Sequence, residues 1–156
     1  MKFTVLLFFL VFIFSCKTQK NNQRCILSKK QLTDTTLKAT LVNYSSYLLK
    51  KENGSDPIKI LDAKIIKNQL QLNVSYSGGC EKHNFKITGD SSISKSLPPI
   101  RSVDLFHFAN GDACKKLIIE ELIIDLSELA YKQEEGSEIY LSLNGWDQKI
   151  SYVFKK

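Results

Sequence analysis

The sequence predicts an all-β domain, an antiparallel β-sandwich of the Ig-like kind with about seven to eight strands, with a small barrel as the alternative. Three observations predict it. Apolar and polar residues alternate with a period of two in short runs, breaks rich in Gly, Asn, Ser or Pro separate those runs, and one segment alone carries a stripe that also suits a helix.

The chain opens outside that pattern. One lysine, an apolar run from Phe3 to Phe14 and then Ser15-Cys16 lead directly into the polar Lys17-Thr18-Gln19-Lys20. The run is 12 residues long, whereas a spanning helix needs roughly 20, so it reads as a signal helix removed on export. Ile13-Phe14-Ser15-Cys16 resembles the bacterial lipobox, which makes Cys16 the expected lipidation site. An ordinary cleaved signal with an incidental Cys16 is the other reading. The expected organisation is 1–15 signal peptide, 16–34 lipidated cysteine and basic tether, and 35–156 a single β domain. The expected location is the bacterial cell envelope, lipid-anchored on the outer membrane.

Net charge is +6, unevenly spread. Residues 17–67 hold 11 basic and 4 acidic side chains, residues 68–156 hold 10 and 12. The basicity therefore belongs to the tether and first strands, where Lys17, Lys20, Arg24, Lys29 and Lys30 suit either anionic headgroups or a solvated linker. Two arginines and no binding motif make nucleic acid a poor partner for an exported chain.

Along the domain, Leu37, Ala39 and Leu41 alternate with polar residues as in a half-buried strand. After the Asn53-Gly54-Ser55-Asp56-Pro57 break, 58–66 and 70–76 form a hairpin around Lys67-Asn68-Gln69. Segments 83–88, 102–108, 138–143 and 148–154 continue the pattern, and Asn144-Gly145 is a turn signal between the last two. Residues 89–99 are a Ser- and Pro-rich loop. In 116–129, Ile118, Leu122, Leu126 and Leu129 match a helical stripe, but the crowded isoleucines favour a strand interrupted near Glu120-Glu121.

The residues that carry chemistry are Cys80, His83, His107 and Cys114. With Cys16 given to lipid, an oxidising compartment favours pairing among Cys25, Cys80 and Cys114. Cys80 with Cys114 is the preferred bridge, since both lie in strand-end loops; closing about 34 residues contributes roughly 3–4 kcal/mol on the chain-entropy model. Cys25 is then the odd cysteine. The competing reading is a tetrahedral zinc set, Cys80-x2-His83 with His107-x6-Cys114. Alternation turns His83 to the face of Phe85 and Ile87, and His107 to that of Val103 and Leu105, so both rings point inward.

Tyr76-Ser-Gly-Gly-Cys80-x2-His83-x-Phe85, then His107 with Gly111-Asp112-x-Cys114, then the apolar run ending Asp125-Leu126-Ser127-x-Leu129, resemble two spaced blocks of a group of uncharacterised bacterial lipoproteins. The resemblance spans about residues 70–130 plus the lipobox. It implies the same exported context and the same cysteine pairing, and no activity.

Other motifs are weak. Ser92-Ile93-Ser94-Lys95 matches Ser-x-x-Lys but sits in a polar loop without its companion motifs. Gly78-Gly79 lacks the glycines and lysine of a phosphate loop and reads as a tight turn beside Cys80. Tyr44, Tyr47 and Trp146 suit stacking on a sugar or peptide, or plain packing. Asp125 and Glu128 form no distinct acid pair. No cofactor is expected and no enzyme. The expected function is a membrane-anchored binding or structural module of the envelope whose partner is an envelope protein or glycan; an envelope inhibitor or immunity-type protein, and a metal-binding module using Cys80, His83, His107 and Cys114, are the alternatives. Replacement of Cys16, Cys16→Ala, is expected to abolish acylation and release the protein from the membrane fraction on immunoblots of separated cells; unchanged retention would contradict the lipobox reading.

Overall fold

Period-two alternation in the sequence becomes two faces of a sheet. In the computed structural model, which describes residues 36–43 and 54–156, the strand Gln69–Gly78 buries Leu70, Leu72, Val74 and Tyr76 and leaves the intervening Gln71, Asn73 and Ser75 half-buried. The signal segment, Cys16, the tether, Cys25, Tyr44 and Tyr47 lie outside the described residues.

The strands are β1 (Leu37–Lys38), β2 (Thr40–Val42), β3 (Lys59–Ile66), β4 (Gln69–Gly78), β5 (Asn84–Asp90), β6 (Ile100–Phe108), β7 (Lys116–Asp125), β8 (Glu138–Leu143) and β9 (Lys149–Val153). They form two sheets, β1-β7-β4-β3 and β2-β5-β6-β8-β9, whose inner faces share one apolar core. The sandwich expected from the sequence is what forms, with no closed barrel among the described residues. Each buried aliphatic side chain of this core, such as Leu72 or Ile87, contributes roughly 1.5–3 kcal/mol.

Among the described residues, nine strands replace the expected seven to eight because the run 37–42 divides between the sheets. Leu37–Lys38 pairs with Ile124–Asp125 of β7, and Thr40–Val42 pairs with Thr88–Asp90 of β5. Ala39 sits at the crossing, 1% exposed, with its N–H donated to the Asp125 carbonyl at 3.0 Å. The crossing breaks the alternation, so Leu41 ends 43% exposed.

The sheets are mixed rather than purely antiparallel. Four pairs are antiparallel, β3 with β4, β4 with β7, β5 with β6 and β8 with β9. β6 and β8 are parallel because the chain returns between them through β7 in the other sheet, so β8 starts at the end where β6 started. β1 and β2 enter in one direction from a single short run, and both lie parallel to their partners.

The ambiguous segment is one continuous strand, β7, followed by a short 3-10 helix at Ser127–Leu129. The expected interruption at Glu120-Glu121 is absent. Glu120 turns toward the inner side, where the Tyr76 hydroxyl donates to its Oε2 at 2.5 Å, so the acid is satisfied without leaving the ladder. Leu126 and Leu129, which mimicked a helical stripe, are buried by the turn after the strand.

Three connections gather at each end of the sandwich. At one lie the β4–β5, β6–β7 and β8–β9 connections. At the other lie the β3–β4 turn, the β5–β6 loop and the β7–β8 loop, together with the C-terminus. Here Asn68, in the β3–β4 turn beside Lys67 at φ 56°, fastens the last residues: its Nδ2 donates to the Lys155 carbonyl at 2.5 Å, and its Oδ1 accepts from Lys155 N–H at 2.9 Å and the Tyr152 hydroxyl at 3.2 Å. Burial, with Asp125 adding, pushes the Tyr152 hydroxyl up to about 12.

Arg101 crosses the same end at 5% exposure, its Nε donating to the Leu129 carbonyl at 3.0 Å and its Nη1 to the Asp90 carbonyl. Burial lowers the guanidinium from its ordinary value, opposed by Asp90. Gly89 lies beneath it, where a Cβ would meet Leu129 Cδ2 at 2.6 Å and Arg101 Cδ at 3.0 Å. Gly89→Ala is therefore expected to cost about 1–3 kcal/mol of stability through overpacking, read from the midpoint of urea unfolding; an unchanged midpoint would show that Leu129 yields freely.

Candidate functional site

Two chain crossings between the sheets lie side by side at one end, β4 to β5 and β6 to β7. Cys80 follows β4 and Cys114 precedes β7, and β4 and β7 are antiparallel neighbours whose ends meet at Gly78 opposite Lys116. The two sulfurs are joined as a disulfide with Cα atoms 5.9 Å apart, across 34 residues of sequence.

Asp112 organises both crossings. Its Oδ2 accepts the N–H groups of Gly79 at 2.8 Å, Cys80 at 2.9 Å and Glu81 at 3.0 Å, and its Oδ1 accepts that of Cys114 at 2.8 Å. The N–H of Glu81, then those of Cys114 and Cys80, hold the carboxyl well below the usual carboxylate range; His83 adds to this and burial opposes it. The glycines are not a simple turn. Gly79 has φ 111°, which an L side chain rarely adopts, while Gly78 lets a ring lie against the backbone: a Cβ there would sit 2.5 Å from His83 Cε1 and Nε2 and 3.0 Å from Asp112 Oδ2.

His83 and His107 face inward and meet. His83 Nε2 lies 3.1 Å from Asp112 Oδ2, His83 Nδ1 lies 2.7 Å from His107 Nε2, and His107 Nδ1 lies 3.2 Å from the Pro57 carbonyl. The side chains of His83 and Asp112 are 3% and 0% exposed, and His107 is 1% exposed. Tyr76 and Phe85 complete the cluster, with Tyr76 ring centres 4.7 Å from each imidazole and Phe85 stacked on His107 at 5.2 Å. Burial, with Glu120 reinforcing it, raises the Tyr76 hydroxyl well above its ordinary value.

The acceptors at both ends of this line fix its protons. The Pro57 carbonyl requires a proton on His107 Nδ1, and the Asp112 carboxylate requires one on His83 Nε2. The contact between the rings needs a third. Two imidazoles holding three N–H protons carry one positive charge, placed next to the Asp112 carboxylate. Burial, and then the charge of His83, hold His107 below its ordinary value, with the Pro57 carbonyl and Asp56 opposing.

This geometry separates the two readings of the four residues. The sulfurs are bonded to each other, so neither is a thiolate ligand, and the ring nitrogens are engaged with Asp112, Pro57 and one another. Cys80, Asp112 and Cys114 do bring ligand atoms within 4.8 Å of one another, and the disulfide removes two of that set. Asp112 is the residue that sequence reasoning passed over, and its signal was present: an Asp two residues before Cys114 accepts that residue's N–H, as Asp90 does for Ser92 and Asp125 for Ser127.

No family model matches the chain, and no curated protein matches it by sequence. Its fold is shared. A NigD-like immunity protein from Bacteroides caccae superposes with a TM-score of 0.53 at 19% identity, over 76% of this chain and 59% of that one. A protein of unknown function DUF1344 from Bacteroides vulgatus gives 0.50 at 16% identity, over 78% and 56%. The chain thus spans under two thirds of the length of either, and at these identities the likeness establishes the fold.

The other end of the sandwich is open. A cleft of about 620 Å³ lies between the β5–β6 and β7–β8 loops, lined by Leu97, Pro98, Pro99, Tyr131 and Lys132 among others, with Leu97 101% and Tyr131 46% exposed. Ser92 and Lys95 stand exposed in the adjoining loop, with Ser92 N–H bonded to Asp90. Trp146 is half-buried and packs on the core, consistent with a packed turn.

Two separate pH effects on stability follow from the cluster. As pH falls below about 6.5, the ordinary value for His107, an unfolded chain takes up a proton on that ring which the native cluster refuses, so the melting temperature is expected to fall as pH drops from about 6.5 toward 5. The contribution of Asp112 is complete above its ordinary value of 3.8 and is withdrawn as pH falls below it. In thermal melts, His107→Gln should flatten the first slope and Asp112→Asn the second; the same slopes in both variants as in the parent would contradict these assignments.

Proposed function

We propose that the chain is a non-enzymatic binding module of the bacterial cell envelope, held at the membrane through lipid on Cys16, that engages an envelope protein or glycan with the open end of its sandwich. The observation that carries this reading is the enclosure of its reactive groups. The side chains of His83, His107 and Asp112 sit side by side, as a hydrolytic site would require, yet they are almost wholly buried and their polar atoms are satisfied inside the protein. A catalytic base must reach the proton it abstracts, and these groups reach only each other. Their chemistry is spent on fastening two chain crossings.

The opposite end has the complementary character. Two long loops hold Leu97, Pro98, Pro99 and Tyr131 at the surface around a cleft, and loops on a rigid sandwich are where recognition is usually placed. A second reading, an immunity-type protein that blocks a toxic enzyme in the envelope, is favoured by one observation: a protein described as NigD-like immunity shares the fold.

Capture with the tagged full chain from envelope extracts of a producing bacterium distinguishes the two readings. A stoichiometric enzyme or toxin supports the immunity reading, and a structural protein or glycan supports the general binding module. Combined Leu97→Asp and Tyr131→Ala substitutions are expected to reduce recovery at least tenfold with an unchanged melting temperature. Turnover of any substrate that is abolished by His83→Gln in a folded protein would overturn the non-enzymatic reading.

A further inference from the structure

β8 pairs with β6 along Ile100–Val103, and further along the same edge of β6 the short segment ahead of β3 takes its place. The Val103 carbonyl accepts from Asn144 N–H at 2.9 Å, and alternate residues of a strand point their backbone groups to one side, so those of His107 face that edge too. There His107 N–H donates to Ser55 Oγ at 3.0 Å, the His107 carbonyl accepts from Asp56 N–H at 2.8 Å, and Ala109 N–H donates to Asp56 Oδ2 at 2.6 Å. Ser55, Asp56 and Pro57 are exposed, whereas His107, whose Nδ1 lies 3.2 Å from the Pro57 carbonyl, is 1% exposed. This segment is the outer wall of the histidine cluster.

The inner walls are firmer. Phe85 stacks on the His107 ring, Tyr76 packs beside it with its hydroxyl on Glu120, and His83 meets it in front of Asp112, whose carboxylate is held by four backbone N–H groups beside the disulfide. The titratable groups facing His107 are therefore His83 with Asp112 behind it, Tyr76 with Glu120 behind it, and Asp56. Lifting residues 55–57 breaks the bonds just given and disturbs no strand ladder, so this is the wall that opens at least cost.

The contact between the rings holds a single proton. His83 Nδ1 and His107 Nε2 lie 2.7 Å apart, while the other nitrogen of each ring donates to Asp112 and to the Pro57 carbonyl. One further proton sets two N–H donors against each other with no acceptor between them, and puts two positive charges side by side. We propose that the histidine pair is a proton-operated latch: with one shared proton it holds residues 55–57 down over His107, and a second proton parts the rings and lifts the segment. The His107 imidazolium then reaches water and the Asp56 carboxylate, and the His107 and Ala109 N–H groups are bared at the edge of β6. The direction follows from linkage. The closed cluster holds His107 below its ordinary value of 6.5, through burial and then His83, whereas the lifted ring takes up its proton near that value, so falling pH favours lifting.

Native-state hydrogen exchange of the full chain, read amide by amide by NMR and corrected for the intrinsic pH dependence of exchange, tests the latch. Exchange at Asp56, His107 and Ala109 is expected to be insensitive to urea below the unfolding midpoint, as for a local opening, and to speed roughly tenfold as pH drops from about 6.5 to about 5. The Leu72 amide, in the middle of its sheet, should exchange only by unfolding and so depend steeply on urea. His107→Gln is expected to remove the acid effect at Asp56 and Ala109; the parent measurements decide the question without it if that variant does not fold. Two results would overturn the proposal: exchange at these amides that follows Leu72 in its urea dependence, which makes the segment part of the global unit, or local exchange that acid does not speed.

Discussion

Two neighbouring crossings from one sheet to the other must leave the same end of the sandwich without stranding backbone donors, and the Asp112 carboxylate meets that requirement. Where β4 gives way to β5, the chain turns through Gly79, Cys80 and Glu81, and three successive N–H groups point away from any ladder. One carboxylate oxygen accepts all three, and the other accepts the N–H of Cys114 from the second crossing. One side chain thereby ties the start of the first crossing to the end of the second. The disulfide then joins the strands that Asp112 has aligned, and its loop-closure effect of roughly 3–4 kcal/mol acts on an arrangement already selected by hydrogen bonds.

The histidines extend the same logic into the core. A carboxylate saturated by four amides still presents charge to the interior, and His83 is the ring that faces it. His83 fits there because Gly78 has no side chain to displace it. His107 relays the line of hydrogen bonds to the Pro57 carbonyl, and the segment before β3 is tied in further by Asp56 N–H on the His107 carbonyl at 2.8 Å and Ala109 N–H on Asp56 Oδ2 at 2.6 Å. Tyr76 and Phe85 pack the rings from the apolar side, and Glu120 takes the Tyr76 hydroxyl. Residue types familiar from catalytic and zinc sites thus tie two chain crossings together, and the proposal of a non-enzymatic module rests on their burial and their satisfied polar atoms rather than on residue type.

How much of this was legible depends on whether the controlling interaction is local. β4 was readable because Leu70, Leu72, Val74 and Tyr76 keep strict alternation, and the β8–β9 turn because Asn144-Gly145 supplies the positive φ of 83° found at Gly145. Inward-facing histidines were readable for the same reason. The division of the 37–42 run was not, since Ala39 differs from its neighbours only in being small enough to cross between sheets. β7 misled in detail because an inward Glu120 looks like a break until its partner Tyr76, 44 residues earlier, is seen to meet it. The parallel pairing of β6 and β8 is a property of the path through the other sheet and leaves no mark on either strand. Asp112 lay between these cases, with its local bond to Cys114 readable and its three bonds across to β4–β5 not.

Open sheet edges are a hazard that folded chains blunt, and most edges here are blunted. β3 has a register irregularity between Ile60 and Asp62 and charges at Lys59, Asp62 and Lys64 spread along it. β9 is five residues long and begins with Lys149, and β2 is three residues long. Charge, brevity and irregularity thus protect these outer strands without any change to the buried faces that hold the core.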